Sequence, residues 1–119
     1  MHADSRSDLE MKISFKPGVS LYGLQPEMLW ALDRCLDTAT GDVVVTSARG
    51  DKHSRASLHY VGLAFDLRTR HLSQERIRNW IRELKLVLID YDIVFEGTHL
   101  HIEYQPKNAY QYPTKQPYQ

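Results

Sequence analysis

The chain has 119 residues and a single cysteine, Cys35, so no disulfide can close within it. A reducing compartment fits, and so does export of a protein that needs no disulfide. It also lacks a charge of one sign: 15 Lys and Arg balance 15 Asp and Glu. General binders of nucleic acid or of anionic membranes carry a basic excess, so neither partner is expected, and only local patches stay open. No apolar run is long enough to span a bilayer, so no membrane insertion is expected. The polar stretch Met1–Glu10 lacks the apolar region of a signal peptide. A target outside the cytoplasm would therefore require another means of delivery. What is present, 42% hydrophobic and 25% charged residues, suits one domain with one core.

Residues 1–10 read as a flexible leader and residues 11–104 as a single domain. Residues 105–119, with three prolines, three tyrosines and no period, read as a Pro/Tyr-rich tail open to a protein partner. Lys12–Phe15 is a short edge strand stopped by Pro17-Gly18. Pro26 suits a first helical position, and Met28, Leu29, Leu32, Cys35 and Leu36 follow at helical spacing, with the end near Thr38–Gly41. Cys35 reads as core packing. Val43–Thr46 is β-branched and bounded by turn residues, hence a strand. Ser47–Arg55 is a polar loop, and Val61–Arg68 a strand. Ser73 predicts a helix N-cap, with Ile77, Trp80, Ile81, Leu84 and Leu88 as the apolar stripe of the helix behind it. Tyr91–Glu96 and His99–Tyr104 read as a hairpin turning at Gly97-Thr98. These elements predict an α+β fold, a small antiparallel sheet with helices packed on one face.

Two stretches hold the groups that do chemistry. Strand parity puts Leu63, Phe65 and Leu67 on one face and Gly62, Ala64 and Asp66 on the other, an open floor beside one carboxylate. Leu100, Ile102 and Tyr104 share a face of the last strand; His99, His101 and Glu103 share the opposite one. If the two strands are antiparallel neighbours, Asp66 and His101 enter one cleft. His59 lies seven residues before Asp66, an odd spacing, so it belongs in the loop ahead of the strand, with Gly62 bending the backbone. Two imidazoles and a carboxylate leave a fourth tetrahedral position for water, whose pKa zinc lowers to about 7. Glu96 and His99 are the local candidates for base and oxyanion donor. His2, His53 and His71 read as surface residues.

The pattern Ser57-x-His59-x-x-Gly62-x-Ala64-x-Asp66, followed by His99-x-His101, resembles the zinc D-Ala-D-Ala carboxypeptidase family, which shares its fold with hedgehog signalling domains. The resemblance covers roughly residues 43–104. It implies zinc held by His59, Asp66 and His101, and a peptidoglycan stem peptide as substrate, as in bacterial members and phage endolysins. Arg49 matches a family arginine near the substrate cleft, and its fork suits a peptide carboxylate. Ser57 matches the serine beside the first ligand and would orient His59 or touch substrate. Many members place a catalytic glutamate three residues before the last ligand. Here Glu96 stands three before His99 and five before His101. Either His99 is the ligand, or the chain belongs with a His-x-His branch in which the first histidine assists catalysis; the second arrangement is preferred. The base is then Glu96 or His99.

The expected function is a zinc-dependent peptidase cutting stem peptides, as a D,D-carboxypeptidase or an L-Ala-D-Glu-type endopeptidase. A phage lysin held in the host cytoplasm until release to the cell wall, or an enzyme carried in a virion, fits the missing signal sequence. Two other classes compete. One is a non-enzymatic structural or binding module, such as a virion component, that keeps the fold. The other is a non-haem iron oxygenase built on two histidines and a carboxylate.

Overall fold

The computed structural model describes residues 13–48 and 62–106. Within them the order is β1 (Ile13–Phe15), α1 (Pro26–Thr38), β2 (Val43–Ser47), β3 (Ala64–Arg68), α2 (Gln74–Val87), β4 (Tyr91–Phe95) and β5 (His99–Tyr104). The strands form one five-stranded sheet in the order β1-β2-β3-β5-β4. The architecture is α+β, as the pattern of elements predicts.

The sheet is mixed, which corrects the expectation of an antiparallel one. β1 and β2 run parallel, with Ile13 opposite Val43 and Phe15 opposite Val45. The connection between them contains α1, which carries the chain back to the end where β1 began. The remaining neighbours are antiparallel.

Both helices form where capping and period coincide. Pro26 opens α1 without needing an N–H partner, and Met28, Ala31, Leu32 and Cys35 are its buried residues. Leu29, assigned to that stripe from the sequence, is 45% exposed, and Ala31 takes its place against the core. Burial pushes the Cys35 thiol well above its ordinary pKa, so it packs as a small apolar group. In α2 the Ser73 hydroxyl accepts from the Arg76 N–H at 3.1 Å, satisfying one orphan donor. Ile77, Trp80 and Leu84 are buried, and the Trp80 Nε1–H donates to Thr38 Oγ1 at 3.0 Å, tying α2 to the last turn of α1.

One apolar cluster joins both helices to one face of the sheet. It includes Val43 and Val45 of β2, Phe65 and Leu67 of β3, and Leu100 and Ile102 of β5. These alternate with the residues that point the other way, so β3 and β5 each have a dry face on the core and a second, polar face, the wet face, although Ala64 and Asp66 on it are buried. The hairpin turn falls at Gly97-Thr98. Glu96 N–H donates to His99 C=O at 2.8 Å, and Gly97 has φ of 90°, the positive value that two-residue hairpin turns require at their first central position.

β3 begins at Ala64, three residues later than expected. Gly62 stands before it in the left-handed region, with φ of 82°, and its carbonyl accepts from the N–H of Gln25, the residue capping α1, at 3.0 Å. The bend expected at Gly62 is present and is pinned to the start of a helix. The leader, Arg49, Ser57, His59, His53 and the tail beyond Pro106 lie outside the described residues. Among the described residues no helix is long and apolar enough to cross a membrane.

Candidate metal and catalytic site

β3 and β5 are antiparallel neighbours in a register that fixes the site. Asp66 faces His101, Arg68 faces His99 and Ala64 faces Glu103. All six share the wet face. Ala64 is wholly buried and Asp66 is 7% exposed, so this floor is covered, not open.

From this register comes a run of alternating carboxylates and imidazoles. His99 Nε2 lies 2.8 Å from Glu96 Oε1 and 3.7 Å from Asp66 Oδ2. His101 Nδ1 lies 2.8 Å from Asp66 Oδ1, and its Nε2 lies 2.7 Å from Glu103 Oε1. The Gln105 side-chain amide donates to the other oxygen of Glu103 at 2.8 Å.

Donor rules assign the protons. An ionised carboxylate only accepts, so His99 carries a proton on Nε2, directed at Glu96. Its Nδ1 meets the Thr98 hydroxyl at 3.1 Å. His101 has a carboxylate at each nitrogen, so both nitrogens are protonated and the ring is an imidazolium. Its pKa is raised from 6.5 to about 9, chiefly by the hydrogen bond to Asp66 and also by Glu103, against a burial that pulls it down.

The donor set suits zinc in kind. Imidazole nitrogen and carboxylate oxygen are both zinc ligands, and Asp66 Oδ1 and His101 Nδ1 converge. Bonds of about 2.0–2.2 Å in a tetrahedral site space two donors by roughly 3.3 Å, so this pair would part by about half an ångström and His101 would shed a proton. Among the described residues no group of three or more His, Cys, Asp or Glu side chains is placed to hold a metal. The third expected ligand, His59, lies outside them, as do the expected substrate residues Arg49 and Ser57.

The structure thus brings together four of the seven residues singled out from the sequence: Asp66, Glu96, His99 and His101. His71, read as a surface residue, is exposed and bonds to the carbonyl oxygen of Asp42 at 3.0 Å.

Other residues at the site had no assigned role. Glu103 was legible as a face-mate of His101, yet parity alone does not show which ring atom it meets. Gln105 was placed in the tail, but its backbone N–H donates to Asp90 C=O at 2.7 Å, extending the ordered strand edge by one residue. A register shift between Val45 and Ser47 puts Ser47 opposite Asp66, and the Thr46 hydroxyl meets the Asp66 backbone carbonyl at 3.5 Å. No sequence signal marks that bulge, though bulges often lie beside active sites.

Next to Asp66 and His99 opens a cleft of about 240 Å3. Lys16, Arg68 and Arg70 also line it, alongside the Thr98 hydroxyl. Comparison with protein-family models, curated proteins and solved structures gave no match.

Proposed function

We propose that the chain is a zinc-dependent peptidase that hydrolyses peptidoglycan stem peptides. The observation that carries this reading is the shared carboxylate: Asp66 meets His101 at 2.8 Å through one oxygen and His99 at 3.7 Å through the other. One group therefore bonds to a candidate ligand and lies within 4 Å of a candidate acid–base residue. The pattern Ser57-x-His59-x-x-Gly62-x-Ala64-x-Asp66 with His99-x-His101 supports the same reading. Delivery by phage lysis or in a virion belongs to this proposal.

In this mechanism His101 and Asp66, with His59, would hold the metal. A bound zinc supplies Lewis acidity and a water acidic near neutral pH. The chain's residues do the rest. Hydrolysis adds water to the peptide carbonyl carbon and breaks the C–N bond, so one proton leaves the water and one reaches the departing nitrogen. Glu96 Oε1 accepts from His99 Nε2; as the base it would take that first proton and pass it on to the departing nitrogen. His99 Nε2–H is a donor that can turn from Glu96 to the developing oxyanion or the leaving nitrogen. Asp66, nearly buried, also lies beside the His99 ring, 3.7 Å from its Nε2.

The second reading, a binding module without activity, is favoured by one feature. Both nitrogens of His101 meet carboxylates, those of Asp66 and Glu103, an arrangement that a purely structural hydrogen-bond network also uses. Zinc analysis of the purified chain and mass spectrometry of digested cell wall separate the two. The peptidase reading expects one zinc per chain and released stem-peptide fragments, with both lost in Asp66→Ala. If Asp66→Ala cleaves as fast as the parent, this reading is wrong.

A further inference from the structure

We infer that the cleft beside Asp66 and His99 is a subsite for a substrate segment bearing two carboxylates. This rests on the peptidase reading and specifies the class of stem peptide taken: one with free acids in place of carboxamides near the scissile bond.

The argument begins with charge. Lys16, Arg68 and Arg70 line one cleft of about 240 Å3, and none of these side chains has a hydrogen-bond or ion-pair partner among the described residues. The acid lining the same cleft, Asp66, is engaged with His101 and His99. The chain carries 15 basic and 15 acidic residues, so three unpaired cations at one place are not a by-product of a basic composition. Like charges around one cleft repel, and an anion relieves them.

Position comes next. Arg68 faces His99 across the β3–β5 ladder, one pair along from Asp66 and His101 on the same face. That is two residues, roughly 6–7 Å, from the candidate metal pair, the reach of a neighbouring residue in a bound peptide. Two Arg forks and a Lys suit either oxyanion, and the peptide substrate of the proposed function is what selects carboxylate over phosphate. Two guanidinium forks take planar carboxylates edge-on, and Lys16 adds a point charge. Among the described residues no helix N-terminus contributes to the lining, whereas phosphate sites commonly use one.

The test titrates N-acetylglutamate, its monoamide and its diamide into the full chain at low salt, followed by NMR of the Arg68, Arg70 and His99 side chains. The dicarboxylate is expected to bind about tenfold or more tightly than the diamide, with the monoamide between them. Arg68→Gln and Arg70→Gln should each shrink that preference to about threefold or less while leaving zinc content unchanged. Arg70 is exposed, so Arg70→Gln keeps the test alive if Arg68→Gln misfolds. Equal affinity for the three probes, no binding of any, or tighter binding of inorganic phosphate each overturns the inference. Zinc content and wall digestion on the same preparations separate the two ideas. A chain that cleaves wall but ignores probe charge defeats the subsite alone. A chain that prefers the dicarboxylate but never cleaves defeats the peptidase reading alone.

Discussion

His99 and His101 are two residues apart on one strand face yet occupy different electrostatic positions. His101 is clamped at both nitrogens, whereas His99 leans on Glu96 and only approaches Asp66. His101→Ala should therefore abolish zinc binding. His99→Ala and Glu96→Gln should keep the metal and lose turnover by ~100-fold or more. Zinc stoichiometry and kinetics on the three variants check this; metal lost from His99→Ala and kept by His101→Ala would reverse the assignment. Glu103 should act through His101. Fixing the far nitrogen of a ligating imidazole is commonly worth about 10- to 100-fold in metal affinity, so Glu103→Ala should weaken zinc by that much in a competition titration, and Glu103→Gln by less. The His101 pKa also sets a pH dependence. In the metal-free protein the folded value is about 9, against 6.5 unfolded, so its contribution to stability is fully present below 6.5 and lost as pH rises through about 9. Zinc must displace that proton, so zinc affinity should climb over the same window. Melting curves with and without chelator, from pH 6 to about 10, read both effects.

At the scale of elements, the sequence was most legible where period and cap agreed. Ser73 followed by Ile77, Trp80 and Leu84 located α2, and Gly97-Thr98 located the hairpin. Ser73→Ala should cost about 1 kcal/mol, read as a lower denaturation midpoint at constant slope. Parity on β3 and β5 correctly separated the core-facing residues from the site-facing ones, because a two-residue period needs no knowledge of the partner strand, but it did not show that Ala64 and Asp66 are covered. Four features were hidden for physical reasons. The parallel pairing of β1 with β2 depends on where α1 returns the chain. The exposure of Leu29 depends on which side of α1 meets the sheet, and Ala31 fills that place with little hydrophobic signal. The bulge at Thr46-Ser47 and the approach of Lys16 to Arg68 are tertiary events between segments far apart in sequence.

For the whole molecule, the site and the core are two faces of the same strands, and the wet network extends to Gln105. A chain ending at Tyr104 should melt lower than one ending at Pro106, because the Gln105 bonds to Asp90 and Glu103 are lost. The strand order carries a further consequence. β5 lies between β3 and β4 although it follows both in sequence. A nascent chain that has emerged only through Phe95 has a gap in its sheet, with the inner edges of β3 and β4 unpaired and Leu100 and Ile102 missing from the core. Such open edges recruit other chains. Synthesis stalled before His99 should therefore give a sticky, chaperone-dependent intermediate, and the strand that completes the fold is the one that delivers the histidines.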